Sequence, residues 1–339
     1  MDRRSEAKEA APSAGPSDMS TLTRMPPLLY GTAWKAEATT ALVLQALASG
    51  FRGLDVAGQP KHYREDLVGE AVLHAARDLG IPREALWIQT KFTSLGGQDR
   101  NKPLPYDGNA PVRTAVRQSF HTSLRNLHQG PRWIWDEGEA KGDGARARPW
   151  IDSYLLHSPL DTLEATVEAW EAMEDLVVEG KVRQIGFSNV YDPRIFAVLR
   201  SAGKRVGPRI LQNRWHHTSG HDVSLLPLLS PSLSPNDFPL PGASSGQGII
   251  YQPFWTLTGN PRLLSSEGVI RSAIKHDWTP QQVVYRFVAQ GFGVKGIATA
   301  VLCGSTDEAH MREAVHVVLG EEALDDDEVD EIRRGIYGE

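Results

Sequence analysis

Segments that predict β-strands alternate with segments that predict α-helices along most of this chain, and no other feature constrains its fold as strongly. Each strand segment is a short apolar run, and apolar residues at helical spacing follow it. The predicted strands are residues 27–32, 51–56, 85–92, 151–157, 181–187, 209–213, 248–252 and 296–303. The predicted helices are residues 39–48, 65–79, 112–127, 163–179, 194–202, 280–289 and 307–318, and we take the last of these to be the last long helix. About eight repeats of this rhythm, with no break in composition, predict an α/β fold: a single-domain (β/α)8, or TIM, barrel.

Three stretches fall outside this rhythm. Residues 1–24 lack the apolar run of a signal peptide and contain acidic residues, so we expect a disordered N-terminal extension before a barrel at 25–339. Residues 129–149 are rich in Gly and mixed charges, and residues 231–246 are rich in Pro and Ser. We place both between a helix and the following strand, so we expect surface excursions on the face opposite the active site of a barrel.

Composition excludes several classes of function. The net charge is −6 and no basic stripe is visible, which argues against nucleic acid as a partner. No apolar run approaches the roughly 20 residues that a membrane-spanning helix needs. Cys303 is the single cysteine and lies in an apolar run, which predicts a buried thiol in a reducing, cytoplasmic setting.

Reactive side chains stand near the ends of successive predicted strands. Asp55, Lys91 and His157 each come at or near the end of a strand, and Tyr63 lies in the loop before the second helix. The carboxyl ends of all eight strands meet on one face of a barrel, where the chemistry of such folds takes place. Taken alone, Asp55 and Tyr63 are equally well read as a buried carboxylate and an ordinary loop residue.

Together these four residues form a proton donor for a carbonyl oxygen. A free phenol has a pKa near 10, which a buried ammonium beside it lowers. A buried Lys91 in turn needs a carboxylate partner, which Asp55 supplies, and His157 can hold the substrate oxygen by a hydrogen bond. Because none of these groups can deliver a hydride, the set implies a nicotinamide cofactor.

Three other motifs carry weaker hypotheses. Residues 291–296 match G-x-G-x-x-G but precede a strand, whereas a dinucleotide fingerprint follows one. Ser244 lies in a G-x-S-x-G match inside the Pro/Ser-rich segment, so a serine hydrolase is a poor reading. His216, His217 and His221 lack the further ligands of a zinc site, and we expect no metal.

The sequence resembles the aldo-keto reductase family from about Met25 to Val318. The resemblance rests on GTAWK at 31–35, GFRGLD and HYRED within 50–66, QTKF at 89–92, DSYLLHSP at 152–159, GKVRQIGFSN at 180–189 and LQNR at 211–214. It implies an NADP(H)-dependent reductase of aldehydes or ketones, with NAD(H) possible, and a small carbonyl compound as the partner. A cofactor-binding barrel with a structural or regulatory role and little turnover remains the rival reading.

The resemblance also implies a role for individual residues. Asp55, Tyr63, Lys91 and His157 match the catalytic four of the family. The residues that match cofactor-binding positions are Ser188, Asn189 and Gln212 at the nicotinamide amide, Tyr251 stacked on its ring, and Thr32 near the ribose and pyrophosphate. Those that match an apolar substrate pocket are Trp34, Phe92, Phe254 and Trp255.

Two departures from the family pattern set the remaining expectations. The loop QPKHY, of a fungal type, places Tyr63 later than usual and makes His62 a competitor for its role. Near the end of the chain, Gly304 and Ser305 stand where many members have Lys and Ser, and His310 stands in place of an Arg. We expect Ser305 or Thr306 to cap a helix beginning at Asp307, and Ser305 and His310 to lie at the adenosine phosphate.

Overall fold

The predicted parallel sheet closes into a (β/α)8 barrel in a computed structural model, which describes residues 24–133, 135, 147–202, 205–229 and 248–337. Its strands, all parallel, are β1 (Leu28–Gly31), β2 (Gly53–Asp55), β3 (Trp87–Phe92), β4 (Ile151–Leu156), β5 (Val182–Ser188), β6 (Ile210–Arg214), β7 (Ile250–Phe254), β8 (Ala298–Thr299) and β9 (Val301–Cys303). Consecutive strands pair from β1 to β8, and β9 pairs with β1. Strands β8 and β9 follow each other in the chain and stand at opposite ends of this order. The predicted extension apart from Arg24, the 231–246 segment with Ser244, and most of 129–149 lie outside the described residues.

The eighth strand position is occupied by two short strands instead of the one predicted at 296–303. Thr299 of β8 pairs with Tyr251 of β7, and Val301 of β9 pairs with Leu28 of β1. Ala300 lies between them, where its amide donates to the carbonyl of Tyr251. The two halves of this position therefore bond to different neighbours, and together they close the barrel.

Eleven helices occur in the described part of the chain, and several were not predicted. Their bounds are α1 (Thr39–Ala48), α2 (Glu65–Asp78), α3 (Val112–Leu127), α4 (Leu163–Val178), α5 (Pro193–Ala202), α6 (Leu226–Leu229), α7 (Pro261–Leu264), α8 (Glu267–His276), α9 (Pro280–Ala289), α10 (Glu308–Leu319) and α11 (Asp326–Tyr337). The prediction that residues 307–318 form the last long helix was wrong. Helix α11 follows it and buries Val329 and Ile332, which lie on one helical face. None of the described helices is long and apolar enough to cross a membrane.

Alternate residues of each strand face the barrel interior, and this alternation decides which side chains reach the site. Gln89 of β3 and Gln252 of β7 hydrogen-bond to each other. Because β3 and β7 are not adjacent in the sheet, both side chains must face the barrel interior to make this contact. Their neighbours Ile88 and Tyr251 belong to the core between the strands and the helices. Below the glutamines, Leu29, Trp87 and Ala300 fill the base of the barrel.

An ion pair closes the amino-terminal end of the barrel. The guanidinium of Arg83, just before β3, donates to Asp152 of β4 at 2.7 Å and to the carbonyl of Trp150 at 2.9 Å. Arg83 also lies 4.4 Å from the Trp150 ring centre. Trp133 contacts Trp150, so the described ends of the 129–149 segment lie at this end of the barrel.

Candidate active site

A buried ion pair lies at the centre of the carboxyl-terminal end of the barrel. The ammonium of Lys91 donates to both oxygens of Asp55 at 2.8 Å and to the carbonyl of Val56 at 2.8 Å. Burial lowers the pKa of Lys91, and the Asp55 carboxylate opposes that effect. Because three acceptors already face its three protons, the ammonium has none left for the Tyr63 hydroxyl.

Three glutamines support Asp55 from inside the barrel. Gln89 donates to Asp55 Oδ1 at 2.7 Å and Gln212 donates to the same oxygen at 3.1 Å. Both amides also donate to Gln252 Oε1, at 2.7 and 2.9 Å. Gln89 and Gln252 were not predicted as site residues, although they stand two positions before Lys91 and Phe254 and therefore share their strand faces. The network therefore holds the Asp55 carboxylate in place.

Tyr63, and not His62, lies beside this ion pair. The Lys91 ammonium is 5.4 Å from the Tyr63 ring centre, and the Tyr63 and His157 ring centres are 6.1 Å apart. His62 instead lies against Trp34, with 3.6 Å between ring centres. Burial raises the pKa of the Tyr63 phenol, and the Asp55 charge raises it further. The phenol therefore keeps its proton here, whereas the sequence led us to expect that Lys91 lowers its pKa.

His157 follows β4 and is held from two sides. Its backbone amide donates to the carbonyl of Phe92 at 2.9 Å, and its ring Nδ1 lies 2.6 Å from the hydroxyl of Thr93. Burial lowers the pKa of His157 to about 3, and the nearby Lys91 charge contributes. The imidazole is therefore neutral at physiological pH.

One cavity of about 900 Å³ opens over these groups. It brings together most of the residues that the sequence predicted for the site: Trp34, Asp55, Tyr63, His157, Ser188, Asn189, Gln212, Phe254, Trp255, Ser305 and His310. Lys91 lies beneath it, fully buried. Arg214, which the sequence analysis did not assign, stacks its guanidinium 4.2 Å from the Trp255 ring centre at the cavity wall.

The residues that match nicotinamide-binding positions lie side by side, and their side chains hydrogen-bond within the protein. The Ser188 hydroxyl donates to the carbonyl of Gln212 at 2.8 Å, and the Asn189 amide donates to the carbonyl of His157 at 2.8 Å. Asn189 has a φ of 57°, a region that asparagine tolerates better than most residues. The side-chain nitrogen of Gln212 is engaged by Asp55 and Gln252, which leaves its oxygen as the end available to a ligand.

Tyr251 and Phe92 do not reach this cavity, so both predictions were wrong. Tyr251 is fully buried on the outer side of β7, where its hydroxyl donates to Asp222 Oδ2 at 2.8 Å. Phe92 is one residue beyond the interior-facing Lys91 and contacts Tyr106 in the core. Strand alternation explains both cases, because it gives the interior face of β7 to Gln252 and Phe254.

Thr32 also has a different role from the predicted contact with the cofactor. Its hydroxyl and its amide both donate to the carbonyl of Asp55, at 2.9 and 3.0 Å. Its neighbours Gly31 and Ala33 line the cavity instead. Thr32 therefore fixes the backbone at Asp55.

The predicted phosphate region is the start of α10, but its cap differs from the prediction. Asp307 itself is the N-cap, and its side chain accepts from the amide of His310 at 3.1 Å. Ser305 accepts from the amide of Asp307 at 3.1 Å. The ammonium of Lys35, which the sequence analysis did not single out, donates to the carbonyl of Gly304 and adds a positive charge at the place where the family Lys is missing.

The remaining motifs do not form sites within the described residues. No group of three potential metal ligands is present there. His221 lies 2.8 Å from the Asn260 side-chain oxygen, and His216 contacts Thr218 and Trp255. The 291–296 motif begins in a short turn before β8, and Cys303 is a free, buried thiol as predicted.

Comparison with known proteins points to one family. The Aldo/keto reductase family model matches residues 149–230. The methylglyoxal reductase DkgA of Escherichia coli O157:H7 is 30% identical over 194 residues, which cover 57% of this chain and 54% of that protein. An uncharacterized oxidoreductase of Schizosaccharomyces pombe is 27% identical, over 57% of this chain and 53% of that protein. The chain thus spans about half the length of these two relatives. The aldehyde reductase YPR1 of Saccharomyces cerevisiae is 25% identical and is matched over 78% of its length and 80% of this chain.

Solved structures show the same barrel. An aldo-keto reductase from a deep-sea metagenome library superposes with a TM-score of 0.64 at 22% identity, over 93% of each chain. A Bombyx mori aldo-keto reductase in complex with NADP gives a TM-score of 0.62 at 18% identity, over 93% of this chain and 90% of that one. The family match runs from just before β4 to just after α6, and over this part the chain is similar to the aldo/keto reductase family.

Proposed function

We propose that the protein is an NADP(H)-dependent reductase that converts aldehydes or ketones to alcohols. The observation that carries this proposal is that Tyr63 and His157 share one cavity with Ser188, Asn189 and Gln212. Relatives named as a methylglyoxal reductase and an aldehyde reductase, and a barrel solved with NADP, support the reaction class. The buried free thiol fits a reducing compartment, and we place the enzyme in the cytoplasm.

The cavity fits a nicotinamide cofactor. Gln212 presents an oxygen that can accept from a carboxamide, because its nitrogen is held by Asp55 and Gln252. Phe254 lines the cavity from β7 and offers the aromatic face that we first assigned to Tyr251. Lys35, Ser305 and His310 surround the start of α10, where helix amides favour a phosphate. When bound, the cofactor supplies a hydride to the carbonyl carbon of the substrate.

The protein residues supply the proton and hold the substrate. The Tyr63 hydroxyl remains protonated, because burial and Asp55 raise its pKa, and it can donate to a carbonyl oxygen as negative charge develops there. The Lys91 ammonium, 5.4 Å from the ring centre, stabilises that charge. Neutral His157 lines the cavity, where its imidazole can orient the same oxygen.

Two alternative functions have less support. A regulatory barrel with little turnover has no need of the buried Asp55–Lys91 pair beneath Tyr63, and the intact pair supports turnover. The serine hydrolase depends on Ser244, which lies outside the described residues.

The proposal is tested by titrating the pure protein with NADPH and then adding a panel of aldehydes and ketones, methylglyoxal among them, while cofactor oxidation is followed. We expect saturable oxidation with at least one class of carbonyl compound. Tyr63→Phe is the matched control, since it should bind NADPH and not oxidise it. Tight NADPH binding without turnover on any substrate would favour the regulatory reading instead.

A further inference from the structure

Thr93 is the first residue after β3, and it faces His157 across the gap between β3 and β4. Its hydroxyl lies 2.6 Å from His157 Nδ1, and its side chain is almost completely buried. The position of Thr93 is itself fixed, because its carbonyl accepts from the Tyr106 hydroxyl at 2.8 Å and from the Gln98 amide at 3.2 Å. These two hydrogen bonds hold the Thr93 backbone beside His157.

The contact decides which nitrogen of the neutral imidazole carries the proton. Within the described residues, His157 Nδ1 is the single hydrogen-bond partner of the Thr93 hydroxyl. If Nδ1 carried the proton, it would donate to the hydroxyl oxygen, and the hydroxyl proton would be buried without an acceptor. A buried hydroxyl proton without an acceptor is unfavourable. If the hydroxyl donates to Nδ1 instead, the ring proton must be on Nε2.

We infer that Thr93 is a positioning residue that holds His157 in the Nε2–H tautomer, with its donor directed into the cavity. This inference rests on the proposed function, because the Nε2–H group is useful only if a carbonyl oxygen lies in the cavity. Thr93 is not among the residues that line the cavity. It acts through His157, as an outer partner fixes the tautomer of a ligating histidine in a metal site.

The first test reads the tautomer without any turnover. Two-bond ¹H–¹⁵N spectra of protein labelled at histidine distinguish the two neutral forms, and the His157→Gln variant identifies the His157 signal. We expect the Nε2–H form in the unaltered protein, a mixture of both forms in Thr93→Val, and the Nε2–H form restored in Thr93→Ser. An Nδ1–H ring in the unaltered protein, or an unchanged ring in Thr93→Val, would overturn the inference.

A control variant separates this effect from the loss of any buried hydroxyl. Thr90 lies three residues earlier on β3, is equally buried, and donates to Glu65 at 2.6 Å on the outer side of the strand. Thr90→Val should lower the melting temperature and leave the His157 tautomer as it is. A change of tautomer in Thr90→Val would show that general loosening of β3, and not the Thr93 hydroxyl, is responsible.

The second test uses kinetics with NADPH and the best carbonyl substrate. Loss of one hydrogen bond of ordinary strength predicts a fall of kcat/KM of roughly tenfold in Thr93→Val, with NADPH affinity unchanged and activity largely recovered in Thr93→Ser. If the unaltered enzyme reduces no carbonyl compound, the proposed function fails while the tautomer result stands. If Thr93→Val keeps full kcat/KM in an active enzyme, the inference fails and the proposed function stands.

Discussion

At the residue scale, we propose Tyr63 as the proton donor. Tyr63→Phe should reduce turnover by about 10³-fold, the range typical of a lost general acid, and leave the NADPH dissociation constant nearly unchanged. Steady-state kinetics and a fluorescence titration of NADPH measure the two quantities. His62→Ala is the companion variant, since His62 lies against Trp34 and away from the ion pair. Loss of activity in His62→Ala with retention in Tyr63→Phe would mean that we chose the wrong residue of this loop.

Lys91 and Asp55 should depend on each other for stability. Lys91→Met leaves the buried Asp55 carboxylate without its partner, which typically costs about 3–5 kcal/mol of the free energy of unfolding. The double variant Lys91→Met with Asp55→Asn removes the charge as well and should recover part of that loss. Urea unfolding of both variants measures it. If the double variant is less stable than Lys91→Met, the unpaired Asp55 charge is not the cause of the stability lost in Lys91→Met.

The four catalytic candidates were predictable from the sequence, because polar residues at the ends of successive strands must meet on one face of a barrel. Tyr251 and Phe92 were placed wrongly because each was matched by motif alone. A check of strand alternation against Lys91 and Gln252 indicates that both face outward. Thr93 could not be singled out, because its role depends on a contact with His157, which follows another strand.

At the scale of elements, β7 presents Phe254 to the cavity and Tyr251 to the core. Phe254→Ala should weaken NADPH binding by roughly tenfold, since aromatic stacking is worth about 1 kcal/mol beyond the buried area. Tyr251→Phe should lower the melting temperature through loss of the bond to Asp222 and leave NADPH affinity unaltered. Fluorescence titration and thermal unfolding of both variants test this assignment. Weakened binding in Tyr251→Phe alone would restore the residue that the sequence indicated.

The start of α10 should prefer NADPH over NADH only modestly. The Lys35 ammonium adds a positive charge at Gly304, whereas the Asp307 cap, also at the helix start, repels a phosphate. Dissociation constants of both cofactors measure the preference. Lys35→Met should lower the preference through loss of this charge, and His310→Ala should lower it through loss of a polar side chain at the helix start. A large preference that is kept in both variants would mean that another base holds the phosphate.

Strand and helix positions were predictable wherever apolar periodicity was strong, and the exceptions have local causes. The break at Ala300 follows from barrel closure, since β8 must bond to β7 and β9 to β1. Helix α11 begins with three acidic residues, and its apolar positions are few. Its burial against the body of the protein supplies the stability that its sequence alone does not indicate.

For the whole molecule, Asp222 should make stability depend on pH. Burial raises the pKa of Asp222 to about 6, while Asn213 and Tyr251 donate to it. The carboxyl of Asp222 has a pKa near 4 in the unfolded chain, so the folded state binds its proton more tightly. This adds to the stability of the fold below about pH 4, and the contribution is lost as the pH rises through about 6. Asp222→Asn should remove this loss, because one amide oxygen can accept from both donors.

The measurement compares the free energy of unfolding of Asp222→Asn with that of the unaltered protein at about pH 4.5 and pH 7.5. As the pH rises, the free energy of unfolding of Asp222→Asn should increase relative to that of the unaltered protein by up to about 3 kcal/mol. The comparison cancels the titration of other groups. A difference that is constant with pH would show that Asp222 titrates as an exposed carboxylate does.

The pairing of β1 with β9 has a consequence for the nascent chain. Leu28 pairs with Val301 in register, so the edge of the first strand receives its partner only when nearly the whole barrel has left the ribosome. Until then β1 offers unpaired backbone groups of the kind that recruit other strands. Premature termination before Val301 therefore produces a sheet with two open edges, and we expect such fragments to aggregate rather than to accumulate as smaller folded barrels.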